Sequence, residues 1–183
     1  YFLEILARMK LSGYKVVCRV LDAQWLGVPQ TRRRVIFVGV REDIARNPCH
    51  PQPLPYRYTL RDAIGDEKSS DSVACDISRF AIGVEWNKLV PGQTSRKHFN
   101  HIRTHLDRPS PCILASSTLS LAGPTHPTEC RKFTISELRR ICSFPADFVL
   151  TGSYGQQWER LGRAVPPIMM YHIARTIRDN ILQ

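Results

Sequence analysis

Three rhythms of apolar and polar positions follow one another along the chain. At residues 2–11, Phe2, Leu3, Ile5, Leu6 and Met9 recur at helical spacing on one broad face, and Gly13 follows as a natural stop. Residues 14–21 (YKVVCRVL) and 33–40 (RRVIFVGV) are short valine-rich runs, which predict two strands, the second apolar enough to be buried on both faces. Four prolines within residues 47–55 (NPCHPQPLP) then exclude regular structure and mark a connection between layers. A short helix is expected at residues 60–64, with Thr59 as its cap and Gly65 as its stop.

The second rhythm is irregular. Residues 66–76 read as a polar surface loop, and residues 77–130 as small strands and loops with no sustained helical period. Helical spacing returns where Thr134-Ile-Ser-Glu137 forms a capping box, opening a helix that ends before Pro145. Pro166 and Pro167 suit the first turn of a last helix carrying Ile168, Tyr171, His172, Ala174 and Ile177. The organisation is a first layer, an excursion and a return: residues 1–47, 48–150 and 151–183.

Composition narrows the chemistry. Hydrophobic residues make up 43% of the 183 residues, enough for an ordinary core and against intrinsic disorder despite 13 prolines. No apolar run approaches membrane-spanning length, so no membrane is expected as a partner. The six cysteines, at 18, 49, 75, 112, 130 and 142, include no C-x-x-C pair, and reduced structural thiols are expected, Cys112 among them. No two of the ten glycines are separated by a single residue, so neither a G-x-G loop nor a phosphate loop is present. The chain starts at Tyr1, inside a helical pattern, which suggests a piece of something larger.

Charge points to a polyanion. With 26 Lys and Arg against 16 Asp and Glu, the formal charge is +10, and the excess is clustered rather than diffuse. One cluster is Arg32-Arg33-Arg34. A second is Arg96, Lys97, Arg103 and Arg108, interleaved with His98, His101 and His105. The third is Arg131, Lys132, Arg139 and Arg140. Contacts to phosphates and base edges fit such clusters, and a solvated basic surface is the plainer alternative. Strand alternation puts Arg32 and Arg34 on one side and Arg33 on the other, two guanidiniums at the mouth of a sheet. The three histidines would line up on a helix, but no carboxylate or thiol completes a ligand set, and no metal is expected.

Taken together, these blocks resemble a known family. Gln30-x-Arg32-x-Arg34 before a strand resembles the eighth of the ten signature blocks of the DNA (cytosine-5) methyltransferases. Arg131-Lys-Phe-Thr134-Ile-Ser-Glu137-Leu-Arg-Arg140-Ile-Cys-Ser-Phe144-Pro145 resembles the ninth, and Gly162-Arg163-Ala164-Val165-Pro166-Pro167 the tenth. Pro109-Ser110-Pro111-Cys112-Ile113 is similar to a stretch near the end of the family's target recognition domain, with Cys where Thr is common.

The resemblance implies an α/β fold: the C-terminal part of a doubly wound S-adenosylmethionine-dependent methyltransferase sheet, plus a small, irregular, mostly β target recognition domain. It implies methyl transfer to C5 of a flipped cytosine in double-stranded DNA, by a Cys thiolate and a Glu on an N-terminal half that this chain does not contain. Arg34 would hold the flipped cytosine or a flanking phosphate, with Arg32 assisting and Gln30 supporting the loop. Arg96, Lys97, Arg103, Ser117, Thr118 and Arg131 would contact DNA. Gly162, Arg163, Ala164 and Val165 would close one side of the cofactor pocket, although the family more often has Asn where Arg163 stands. The isolated chain would be inactive. A noncatalytic DNA-binding or specificity subunit, or the branch that methylates tRNA, are the alternatives. The expected location is the cytoplasm or nucleoid in a bacterium and the nucleus in a eukaryote.

Overall fold

A computed structural model of the chain describes residues 1–66, 72–116 and 120–183. Helix α1 (Phe2–Leu11) is followed by strands β1 (Tyr14–Asp22) and β2 (Arg33–Arg41), antiparallel from Tyr14↔Arg41 to Asp22↔Arg33. Between them, a 3₁₀ turn at Ala23–Trp25 is held by the Asp22 carboxylate, which accepts from Gln24 N and from Arg32 N.

Alternation along the hairpin separates its faces. Val17, Leu21, Ile36, Val38 and Val40 face Met169 and Ile173 of helix α6 (Pro167–Ile177) and Ile181 of the single π-helical turn that follows it. On the other face Phe2 packs its ring 5.7 Å from Phe37, but no residue of α1 is buried, and Val20 and Val35 remain 60% and 50% exposed. The expectation that β2 is buried on both faces is therefore corrected: one helix covers the first face, and α1 reaches only part of the second.

A second core lies across the proline-rich connection. Helix α2 (Leu60–Ile64) opens on a capping box between Thr59 and Asp62, and α4 (Ile135–Ile141) on one between Thr134 and Glu137. Leu60 and Ile64 of α2, Leu138 and Ile141 of α4, Ile113, Phe133, and Trp158 and Leu161 of α5 (Tyr154–Arg163) form its centre. Helix α5 lies where the sequence pattern predicts no element, and it takes Gly162 and Arg163 into its last turn.

The excursion is irregular as expected, with one exception. Helix α3 (Ala81–Trp86) packs Ile82 and Trp86 on Ile77, in a stretch read as strands and loops. Among the described residues the regular β structure here is two residues long per strand, β3 (Ile102–Arg103) parallel to β4 (Pro124–Thr125). His98, His101 and His105 do not share a helix, and among the described residues no group of His, Cys, Asp and Glu is placed to hold a metal. Among those residues no helix is long and apolar enough to cross a membrane. None of the six cysteines is in a disulfide, and Cys75 and Cys142 are buried.

Candidate nucleic-acid interface

The three motif segments meet at one junction. The Gln30 segment runs beside Ser110: Ser110 N donates to Pro29 O at 2.9 Å and Thr31 N to Ser110 O at 2.8 Å. Gln30, completely buried, donates its Nε2 to Cys142 Sγ at 3.3 Å. Arg32 is 3% exposed; its guanidinium donates to Gly162 O at 2.8 Å, Ile113 O at 3.2 Å and Cys112 Sγ at 3.4 Å. One side chain thus ties the loop after β1, the end of the irregular segment and the last turn of α5. Rigid planar donors suit a guanidinium to three-way bonding of this kind.

Gly162 is required there by close approach. A Cβ built on it would lie 2.6 Å from Ala115 N and 2.7 Å from Ala115 Cα, so α5 seats directly on the backbone of residue 115. Trp158, also buried, adds a bond from its Nε1 to Leu114 O at 2.8 Å. Beyond Gly162, Arg163 is exposed and paired with Glu159 at 2.7 Å, Ala164 turns extended, and Val165 is 44% exposed.

The basic side chains divide into two sets. Arg131 is 5% exposed: it makes a bidentate pair with Glu137 at 2.7 and 2.8 Å and reaches Glu129 at 2.9 Å. Burial works against its charge, but the bonds to Glu137 and Glu129 more than offset it and hold the guanidinium above its usual range. Glu137 in turn accepts from Thr134 N at 2.8 Å, so the ninth block's Arg, Thr and Glu form one buried network. Arg103, half-buried, lies 3.7 Å over the Trp86 ring and donates to Leu89 O and Pro127 O. Lys132 is completely buried, its Nζ without a hydrogen-bond partner among the described residues and 5.7 Å from the Trp158 ring centre; burial lowers its pKa to about 7.

Outward-facing charge lies elsewhere. Arg33 is exposed and sits 3.6 Å from Asp22, while Arg34, half-buried, donates to the carbonyl of Arg33 at 2.7 Å. Arg96 and Lys97 are exposed on the loop that ends at His101. Ser117 and Thr118 lie outside the described residues. A cleft of about 670 Å³ opens where the three blocks converge, walled by Gly27, Pro29, Phe144, Pro145, Ile168 and Tyr171. None of residues 162–165 lines it. Nothing in the sequence pattern signalled it, because its walls come from four distant segments.

Comparison with known proteins places these features in context. A family described as C-5 cytosine-specific DNA methylase matches residues 1–179. Type II methyltransferase M1.HphI of Haemophilus parahaemolyticus is 32% identical over 95% of this chain and 50% of its own length. Type II methyltransferase M.MthTI of Methanothermobacter thermautotrophicus is 29% identical over 92% of the chain and 58% of its own length. The chain therefore spans about half the length of these curated relatives. Among solved structures, a prophage-encoded protein of E. coli superposes with a TM-score of 0.77 at 16% identity, covering 99% of this chain and 65% of that one. The S. pombe Dnmt2 methyltransferase gives 0.68 at 13% identity, covering 97% and 61%. Both likenesses concern the fold: the α/β methyltransferase architecture expected from the motifs.

Proposed function

Because this chain belongs to the C-5 cytosine-specific DNA methylase family, we propose that it is the part of a DNA (cytosine-5) methyltransferase that reads the DNA sequence and completes the cytosine and cofactor pockets. The observation that carries this reading is the junction of the three motif segments. Arg32 fixes the loop, and Arg34, two residues on and on the same side of the strand, presents a guanidinium whose bond among the described residues is to a neighbouring carbonyl. Arg34 is then the contact to the flipped cytosine or to a phosphate beside it, and Arg32 is a positioning residue. Gln30 supports the loop from the buried side. Arg131 organises the ninth block from within, and the exposed Arg96 and Lys97 meet the DNA backbone.

S-adenosylmethionine, when bound, supplies the methyl group. The residues here fit one wall of its pocket rather than a whole one. Val165 offers an apolar edge, Ala164 an extended backbone, and Gly162 supports both from behind against Ala115. The thiolate that adds to C6 of the cytosine and the carboxyl group that assists at N3 belong, in this reading, to an N-terminal half, the chain's partner along with double-stranded DNA.

The test is transfer of a radiolabelled methyl group from S-adenosylmethionine to duplex DNA, by the chain alone and with an N-terminal half supplied. Activity is expected only in the mixture, and an active isolated chain would overturn the reading. Competition between duplex DNA and tRNA separates the two branches of the family. Arg34→Ala is expected to lower methyl transfer by the assembled enzyme about 10- to 100-fold while leaving the melting temperature of the chain unchanged.

A further inference from the structure

At the tip of the loop carrying Arg96 and Lys97 stands an aromatic ring that the fold does not use. Phe99 is 86% exposed, more than any other aromatic residue described except Tyr1. The loop under it is built firmly. Its base is closed by the antiparallel bridge Thr94↔Ile102 and by Ser95 N donating to His101 O at 2.8 Å. Inside it, Ser95 Oγ accepts from Lys97 N and His98 N and donates to Glu85 Oε1 at 2.9 Å. His101 is completely buried, with its ring edge-on to His98 at 6.3 Å. Asn100 takes a left-handed backbone with φ of 60°, a conformation that Asn tolerates better than most residues, and it reverses the chain just past the ring.

A firm loop that leaves a phenylalanine in water calls for a partner with an apolar face. The flanking charge says which. Residues 94–102 (TSRKHFNHI) contain no carboxylate, Arg96 and Lys97 are exposed on the arm that leads to Phe99, and Glu85 is engaged by Ser95. Phosphates on the outside and bases on the inside match that arrangement: cations for the backbone and a ring for the stack.

We propose that Phe99 is a wedge that stacks on a base of the bound DNA, entering the duplex while Arg96 and Lys97 hold the adjoining phosphates. The proposal rests on the DNA reading above and adds to it a specific contact. Stacking of this kind tolerates any base but favours steps that unstack easily, so Phe99 biases the choice of sequence through deformability rather than through hydrogen bonds.

The experiment uses the whole chain with mixed-sequence duplexes carrying 2-aminopurine at successive positions, whose fluorescence rises when the base is unstacked. The wild-type chain is expected to bind and to raise the signal severalfold at one or two positions. Phe99→Ala is expected to bind about tenfold more weakly and to abolish the rise, Phe99→Trp to keep binding and place its own ring against the base, and Arg96→Ala/Lys97→Ala to lower the salt slope of binding by about 2. Melting temperatures of all variants should match the wild type, because none of these side chains is buried. DNA binding and fluorescence unchanged in Phe99→Ala would overturn the wedge and leave the DNA reading standing. Failure of the wild-type chain to bind any duplex would remove that reading, and the wedge with it.

Discussion

Arg131 and Arg96 belong to neighbouring basic clusters of one sequence, yet the fold treats them in opposite ways. Arg131 is drawn inside, bonded to two carboxylates and a carbonyl, and Arg103, Arg32 and Lys132 are likewise occupied or enclosed. Arg96, Lys97 and Arg33 stay at the surface. The difference teaches that clustering in the sequence does not decide a cation's role: Arg32, Arg103 and Arg131 are spent on internal carbonyls and carboxylates, whereas Arg33, Arg96 and Lys97 keep their side chains in water. Burying a guanidinium costs desolvation that only well-formed bonds offset, so a buried arginine is a strong commitment to one arrangement of its neighbours.

Removing one partner of the buried pair tests that commitment most severely. Glu137→Ala leaves Arg131 without its bidentate acceptor and Thr134 N without its cap, and it is expected to lose about 3–5 kcal/mol of stability in urea unfolding. Arg131→Met combined with Glu137→Gln should recover part of that loss, since no uncompensated charge is then left inside. If Glu137→Ala cost less than about 1 kcal/mol, the interior and surface sets would not differ in kind.

Lys132 gives the comparison a pH axis. Its folded pKa, about 7, lies below the 10.5 of an exposed lysine, so the folded state resists protonation. The penalty is complete below about pH 7 and is relieved as pH rises from there toward 10.5, where the unfolded chain also loses its proton. Stability is therefore expected to increase with pH across that window. Lys132→Met should flatten the rise and stabilise the chain at pH 6 by on the order of 3 kcal/mol in equilibrium unfolding. His101 and His126, both held near a pKa of about 4 by burial against an ordinary 6.5, act on the other limb. They make stability fall as pH drops from about 6.5 toward 4.

Much of this was legible in the residues, and the part that was not has physical causes. Caps and periodicity placed α1, β1, β2, α2, α4 and α6, because each signal lies within a few residues of the element it sets. Helix α3 escaped because Gly83 and Val84 lower its helical propensity and its six residues are too short to show a period; the helix forms where Gly83 seats against the carbonyl of Ile77. Helix α5 carries a capping box at Ser153 and Gln156, a readable sign masked by the glycines at 152 and 155. The motifs pointed to Arg32 and Arg131, but burial is a property of the folded neighbours, and a sequence shows charge without showing which side of the surface it occupies.

Gly162→Ala asks whether the junction tolerates even one carbon. In an open helix the change would gain up to about 1 kcal/mol through propensity. Here the new Cβ would meet backbone atoms of residues 114 and 115 at 2.6–2.8 Å, and backbone cannot swing aside as a side chain can. The clash is expected to prevail, with a net loss of about 1–3 kcal/mol in thermal unfolding. Arg32 loses an acceptor if α5 is pushed outward, so methyl transfer by the assembled enzyme should fall as well.

The smallest expected effect separates two adjacent arginines. Arg33 faces water with its side chain 80% exposed, and its charge lies 3.6 Å from Asp22, too solvated a pair to contribute much. Arg33→Ala is expected to change stability by no more than about 0.5 kcal/mol. Arg32→Ala, one residue earlier, would orphan the carbonyls of Gly162 and Ile113 in the interior and cost about 2–4 kcal/mol. Urea midpoints of the two variants, measured side by side with equal slopes, decide the matter. If they coincide, the Arg32 guanidinium is not holding the three segments together, and the proposed place of Arg34 at the cytosine loses its support.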